Sequence, residues 1–288
     1  MLFLVVRRKQ MLCLLFATII LFVGICVYAN TNPSKSNPEE IPIPILMYHS
    51  ILKDQSRSGK YVITPQTLEK DLLYLKENGY HTILVSDLID YVYHNGTLPC
   101  KPVILTFDDG YYNNMTYLLP LLTTYDMKAV ISVVGSYTEE FSKLDSHNPN
   151  YSYLTWEDIQ ELEYSGRIEI ANHTYQMHES TQRNGCSIKK GESPEEYQKI
   201  LSQDLVQLQD ELTRKSKIKP PLTFTYPFGY ICKESQNAIE EAGFLASLSC
   251  YETISKISKE PPSLYCLGRF NRPSGIATEK FMKKIQIP

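Results

Sequence analysis

The chain of 288 residues is 43% hydrophobic and 21% charged, with a net charge of −3. These ordinary globular values exclude wholesale disorder, and the lack of a basic excess argues against a dedicated nucleic-acid binder. The length admits one large domain or two modest ones.

The first predicted element is a membrane-targeting segment. Arg7, Arg8 and Lys9 precede MLCLLFATIILFVGICVYA, residues 11–29, which carries no charge. At about 1.5 Å per residue, such a helix just spans a hydrocarbon core of about 30 Å. The basic cluster is expected to stay cytoplasmic, which puts the remainder of the chain outside. Residues 1–30 therefore read as a signal peptide or an N-terminal membrane anchor. Val27-Tyr28-Ala29 suits cleavage, and the apolar length suits retention. Residues 31–42 form a polar, proline-containing linker, and residues 43–288 a single domain. Five cysteines, Cys100, Cys186, Cys232, Cys250 and Cys266, follow the apolar segment without a CxxC pair. That argues against a zinc ribbon, and the sequence selects no disulfide partners.

Beyond the linker, short apolar runs alternate with helical patterns. Ile45–Tyr48 reads as a strand, and Thr64-Pro65 caps a helix carrying Leu68, Leu72 and Leu75 at helical spacing. A strand at Thr82–Val85 leads to a helix capped by Ser86, and Val103–Phe107 is a buried-type strand. A helix over 113–125 and a strand at Ala129–Val134 follow. Thr155 caps the next helix, and Ile168–Ala171 is the next strand. Ser193-Pro194-Glu195-Glu196 is a capping box opening a long helix with Leu201, Leu205, Leu208 and Leu212 on one face. Leu222–Tyr226, a helix over 234–242 and Leu245–Ser249 complete the alternation. Such β-then-α order predicts a parallel sheet with helical crossovers, and seven or eight units in one domain favour a barrel. Barrel chemistry gathers where strands end.

Three strand-end motifs carry candidate chemistry. Thr106-Phe107-Asp108-Asp109-Gly110 puts two carboxylates after a buried strand. Asp-Gly is also a common turn pair, but consecutive side chains point different ways, so one carboxylate can hold a metal while its neighbour handles a proton. Asn172-His173-Thr174-Tyr175-Gln176-Met177-His178 places two histidines five apart. They share neither a helix face nor a strand face, so they converge only if the chain bends between them. Asp109 with His173 and His178 offers one oxygen and two nitrogens, a set suited to Zn²⁺ or a related divalent ion, with Asp108 as a general base. Thr225-Tyr226-Pro227-Phe228-Gly229-Tyr230 either packs a turn or walls a sugar site and turns a backbone N–H to an oxyanion.

These motifs, in this order, resemble the polysaccharide deacetylase family, also called carbohydrate esterase family 4 or the NodB homology domain. The resemblance runs from about residue 43 to the C-terminus. The histidine motif is one residue longer than the family's usual form. With Ile45-Leu46-Met47-Tyr48-His49 and Tyr226-Pro227-Phe228-Gly229, it is similar to the branch acting on poly-N-acetylglucosamine. The resemblance implies a distorted (β/α) barrel, a divalent metal and hydrolytic N-deacetylation of N-acetylglucosamine-containing polysaccharide; the donor set makes Zn²⁺ the expected metal, and the N-terminal segment puts the reaction outside the cytoplasm. It implies Asp108 as base, Asp109, His173 and His178 as metal ligands, and Phe228 as the residue whose backbone N–H helps hold the oxyanion; Tyr226, from the same aromatic motif, is the further candidate for the wall of the sugar site.

Two departures stand out. The family's late histidine, the usual general acid, is missing, because no histidine follows His178. The family's late tryptophan is missing too, since the only tryptophan is Trp156. His49, at the end of the first strand, is the expected alternative proton donor or relay, and Arg269 either orients Asp108 or binds substrate. A competing reading is a surface glycan-binding protein that kept the fold and lost the reaction.

Overall fold

A computed structural model describes residues 40–179, 181 and 183–287. The targeting segment and the linker up to residue 39 lie outside the described residues. From Ile41 onward the chain forms one compact unit. Among the described residues, no helix is long and apolar enough to cross a membrane.

The elements in chain order are β1 (Ile41–Ile43), β2 (Ile45–Tyr48), β3 (Ser50–Ile51), β4 (Val62–Ile63), α1 (Pro65–Glu77), β5 (His81–Thr82), α2 (Val85–Tyr93) and β6 (Pro102–Phe107). A π turn at Asn114–Leu118 leads into α3 (Leu119–Tyr125), followed by β7 (Ala129–Val133), α4 (Gly135–Leu144), α5 (Trp156–Tyr164) and β8 (Ile168–Asn172). Then come α6 (Pro194–Glu211), β9 (Thr223–Thr225), α7 (Lys233–Glu241), β10 (Ala246–Leu248), β11 (Ser255–Ile257), β12 (Phe270–Asn271) and α8 (Thr278–Lys284).

The main sheet runs β10-β9-β8-β7-β6-β2-β12, with β5 also on β6. Each of these pairings is parallel. The lead-in to β12 then bridges β10, where Leu267 N–H donates to Ser247 O at 2.8 Å and Ser249 N–H to Leu267 O at 2.9 Å. The sheet thereby curls into a distorted (β/α) barrel. Parallel strands are stable when both faces are covered, and the packing shows this. Leu105, Phe107, Ile131 and Val133 join a cluster with Leu68 and Leu72 of α1. Their neighbours Ile104 and Val130 point the other way, toward Ile45, Ala246 and Leu88 of α2.

Local signals set most helix starts. Thr64 accepts from Thr67 N–H, and Thr155 and Ser193 form capping boxes with Asp158 and Glu196. Three elements differ from expectation. Helix α2 starts two residues early, because Asp87 accepts from Leu84 N–H while Ser86 N–H donates to Glu169. The helix expected over 113–125 opens as a π turn. The strand expected at Thr82–Val85 shrinks to His81–Thr82, because α2 already begins at Val85.

Candidate active site

Because the barrel strands are parallel, their C-terminal ends open on one side. His49 follows β2, Asp108 and Asp109 follow β6, and His173 follows β8. All four line a cleft of about 430 Å³ with His178 and Phe228. Tyr61, Tyr111 and Cys250 complete much of its wall. A larger groove, about 810 Å³, runs along the outer face of α6 past Ser202, Gln207 and Arg214. It gathers no histidine, so chemistry rather than volume marks the site.

The two aspartates diverge as the strand-end argument requires. Asp108 stays in the ladder, its N–H donating to Tyr48 O at 3.0 Å. Asp109 and Gly110 then take positive φ, +73° and +71°. A Cβ on Gly110 would also approach Val133 Cγ1 to 3.2 Å, so glycine suits this turn doubly. Asp108 meets Arg269 in a fork, with Nη1 to Oδ1 at 2.7 Å and Nη2 to Oδ2 at 2.8 Å. Arg269 is 0% exposed and is itself held by Ser249 O at 2.7 Å and Thr106 Oγ1 at 3.1 Å. Burial alone would raise the Asp108 pKa, but the charge and hydrogen bonds of Arg269 outweigh it and hold the carboxyl below its ordinary value. Of the two roles open to Arg269, the geometry is that of orienting Asp108.

Asp109 turns the other way. Its Oδ1 lies 3.2 Å from His178 Nε2 and 3.6 Å from His173 Nε2. Against the effect of burial, the two imidazoles beside it hold its pKa well down. The far side of each ring is occupied. His173 Nδ1 donates to Thr225 O at 2.8 Å, and a carbonyl can only accept, so the proton sits on Nδ1. His178 Nδ1 lies 3.2 Å from Tyr137 Oη, and the Tyr137 hydroxyl donates to His178 O at 3.2 Å. Both Nε2 atoms thereby face the Asp109 oxygen, in the manner of imidazoles oriented for a metal. One ligand atom from each of the three residues lies within 4.8 Å of the others. The donor set fits a divalent ion.

The bend between the histidines has visible causes. Asn172 Oδ1 accepts from Thr174 N–H at 2.9 Å, and Thr174 takes φ +71°. Asp204 on α6 then accepts from Tyr175 N–H at 2.7 Å and Gln176 N–H at 2.8 Å.

A polysaccharide deacetylase model matches residues 95–247. This chain belongs to the polysaccharide deacetylase family. It is 24% identical over 204 residues to the poly-beta-1,6-N-acetyl-D-glucosamine N-deacetylase of Escherichia coli (strain K12), covering 64% of this chain and 30% of that one. The chain thus spans under a third of that relative's length. The protein of the same name from Staphylococcus aureus (strain MSSA476) is 22% identical over 235 residues, covering 77% of this chain and 76% of that one. Among solved structures, a de-N-acetylase from Aggregatibacter actinomycetemcomitans superposes with a TM-score of 0.71 at 26% identity, covering 85% of this chain and all of that one.

Within this deacetylase barrel, the remaining predicted residues fall into two groups. His49 reaches the cleft, its ring 4.6 Å from that of Tyr61, and its buried Nδ1 has no partner among the described residues. Burial lowers its pKa, and the nearby charges of Asp108 and Asp109 work the other way. Phe228 is 47% exposed at the rim, its ring 4.5 Å from that of His178. Tyr226 does not enter the cleft, contrary to its expected place beside the substrate. Its N–H still bonds Leu248 O at 3.1 Å, so it continues the pleat of β9. Its ring follows that of Phe224 into the core, 1% exposed, among Leu201, Leu205 and Ile239. Phe228 escapes that fate because the Pro227–Gly229 turn gives it φ +57°.

Sequence reasoning missed Asp204, and one signal was available. It interrupts the apolar stripe of α6 between Leu201 and Leu205, where a carboxylate needs a reason to be. Tyr61 and Cys250 carried no signal, because nothing local says which loop residues a barrel turns inward.

Proposed function

We propose that this chain is an extracytoplasmic, metal-dependent hydrolase that removes N-acetyl groups from N-acetylglucosamine-containing polysaccharide. The observation that carries this reading is one cleft holding both an arginine-oriented Asp108 and the Asp109–His173–His178 donor set. The names of the E. coli and S. aureus relatives support the polymer class. The basic flank and apolar run before residue 30 support export, and the same run would hold the protein to the membrane if uncleaved.

Asp109, His173 and His178 would hold the ion, with Zn²⁺ the natural match to two imidazoles and one carboxylate. When bound, it polarises the acetyl carbonyl and makes water acidic enough to attack at neutral pH. The chain's own residues do the rest. Asp108, kept ionised by Arg269, takes the proton from the attacking water as its oxygen bonds to the carbonyl carbon. The Phe228 backbone N–H donates to the oxygen that gains charge. As the carbon–nitrogen bond breaks, His49 gives a proton to the departing amine, leaving acetate and a glucosamine unit. His49 stands in for the absent late histidine because it occupies a strand end on the cleft with an unpartnered ring nitrogen. Exposed Phe228 and Tyr61 offer apolar faces to sugar rings.

Acetate release from N-acetylglucosamine oligomers tests the reading. Release that stops in chelator, returns with Zn²⁺ and collapses in Asp108→Asn supports it. Release indifferent to all three overturns it. The missing late histidine favours a second reading, a glycan-binding protein without turnover, which oligomer binding with no acetate would establish.

A further inference from the structure

We propose that Asp204 is a positioning residue for the two metal-ligating histidines, its carboxylate shaping the bend that brings His173 and His178 to one point. The inference rests on the reading of Asp109, His173 and His178 as ligands.

His173 ends a strand and His178 lies five residues on, a spacing that no regular element brings to one side. The backbone between them must be held in a specific irregular path. Its carbonyls are taken from one side. Gly135 N–H, opening α4, donates to Thr174 O at 3.1 Å, and Ser136 N–H to Tyr175 O at 2.7 Å. Its amides are taken from the other. Asn172 Oδ1 accepts from Thr174 N–H, and the two Asp204 oxygens accept one each from Tyr175 and Gln176. Asp204 is only 8% exposed and lies on the apolar stripe of α6. A carboxylate there costs stability unless its acceptors are filled, and the loop amides fill them. The contact at Gly135 leaves little slack on the α4 side, where a Cβ would fall 2.3 Å from the Tyr175 ring. The loop is therefore clamped between α4 and α6, with Asp204 the side chain that reaches it from α6.

Asparagine keeps the shape of Asp204 but presents an amide N–H₂ to one of the two donors, so one bond of the clamp is lost. Partners that orient ligating histidines are typically worth about 10–100-fold in metal affinity. The experiment uses the full chain, stripped with chelator and titrated with Zn²⁺ against a chromophoric competitor. Co²⁺ absorption reports ligand geometry. Wild type and His178→Ala set the frame: tight binding lost in the alanine variant establishes the ligand set. Asp204→Asn is then expected to bind Zn²⁺ about 10–100-fold more weakly, with an altered Co²⁺ spectrum. Asp204→Glu, which restores the charge one methylene further out, is expected between the two. Thr278→Val, which removes a hydrogen bond to the remote Asp71, controls for general loosening: it should lower Tm and leave Zn²⁺ affinity unchanged.

Wild-type affinity in Asp204→Asn, with His178→Ala still deficient, overturns the role of Asp204 and spares the ligand reading. Equal binding by wild type and His178→Ala overturns both. If Asp204→Asn does not fold, Asp204→Glu decides alone, and wild-type affinity in it overturns the role.

Discussion

Arg269 and Arg272 lie three residues apart, and each forks onto a buried aspartate. Arg269 grips Asp108 at 2.7 and 2.8 Å, and Arg272 grips Asp71 at 2.8 and 3.1 Å. Both arginines and Asp71 are essentially unexposed, and Asp108 is 3% exposed. The surroundings separate them. Asp71 is sealed, its remaining lone pairs taken by Tyr48 Oη at 3.2 Å and Thr278 Oγ1 at 2.6 Å. Burial wins there and its pKa is raised despite Arg272. Asp108 borders the cleft and its pKa is lowered. A buried ion pair by itself is therefore no mark of function. Under the proposed function, what sets the Asp108 fork apart is that its carboxylate also borders an open cleft beside the Asp109–His173–His178 group.

Exchanging the roles of these pairs by mutation breaks or sharpens that comparison. The largest effect is expected from Asp108→Asn, with kcat for acetate release falling about 10²–10⁴-fold, the usual share of a general base. Next is Asp71→Ala, which strands Arg272 in the core. Denaturant unfolding should show a loss of about 3–5 kcal/mol, while kcat of the folded fraction stays near wild type. Arg269→Lys cannot reproduce the fork. It should lower kcat more than it raises KM, by about ten-fold, on the scale of one charge-assisted hydrogen bond. The smallest effect concerns Glu163, whose pKa is raised to about 7, chiefly by burial, with the Ile170 N–H opposing and Glu169 adding. Among the described residues, no arginine offsets its burial. The folded chain then holds a proton that the unfolded chain releases near the ordinary glutamate value. Stability should fall as pH rises from about 4.5 through about 7. Glu163→Gln should flatten that slope in thermal melts across the same window.

Much of the barrel was legible from local patterning. Val103–Phe107 and Ala129–Val134 announce buried strands through continuous apolar runs, and Thr64, Thr155 and Ser193 announce helix starts through cap chemistry. Each signal is written within a few residues and survives folding because it is locally satisfied. The gathering of Asp108, Asp109, His173, His178, His49 and Phe228 on one cleft was likewise readable, since parallel strands bring their ends to one side. Ser86 shows the limit: it looked like a cap, yet its N–H serves Glu169, 83 residues away. Tyr226 shows another, because strand pleat and turn geometry, rather than motif membership, decide which aromatic faces the cleft.

The sequence by itself determined which chemical groups the site contains, because residue types and strand-end placement are local properties. The tertiary structure decided how those groups are held. Arg269 meets Asp108 across 161 positions, and Asp204 meets the histidine loop across 28 and 29. Such contacts depend on barrel closure and on the seat of α6 against β8, which follow from the summed packing of many residues and leave no periodic trace in the chain.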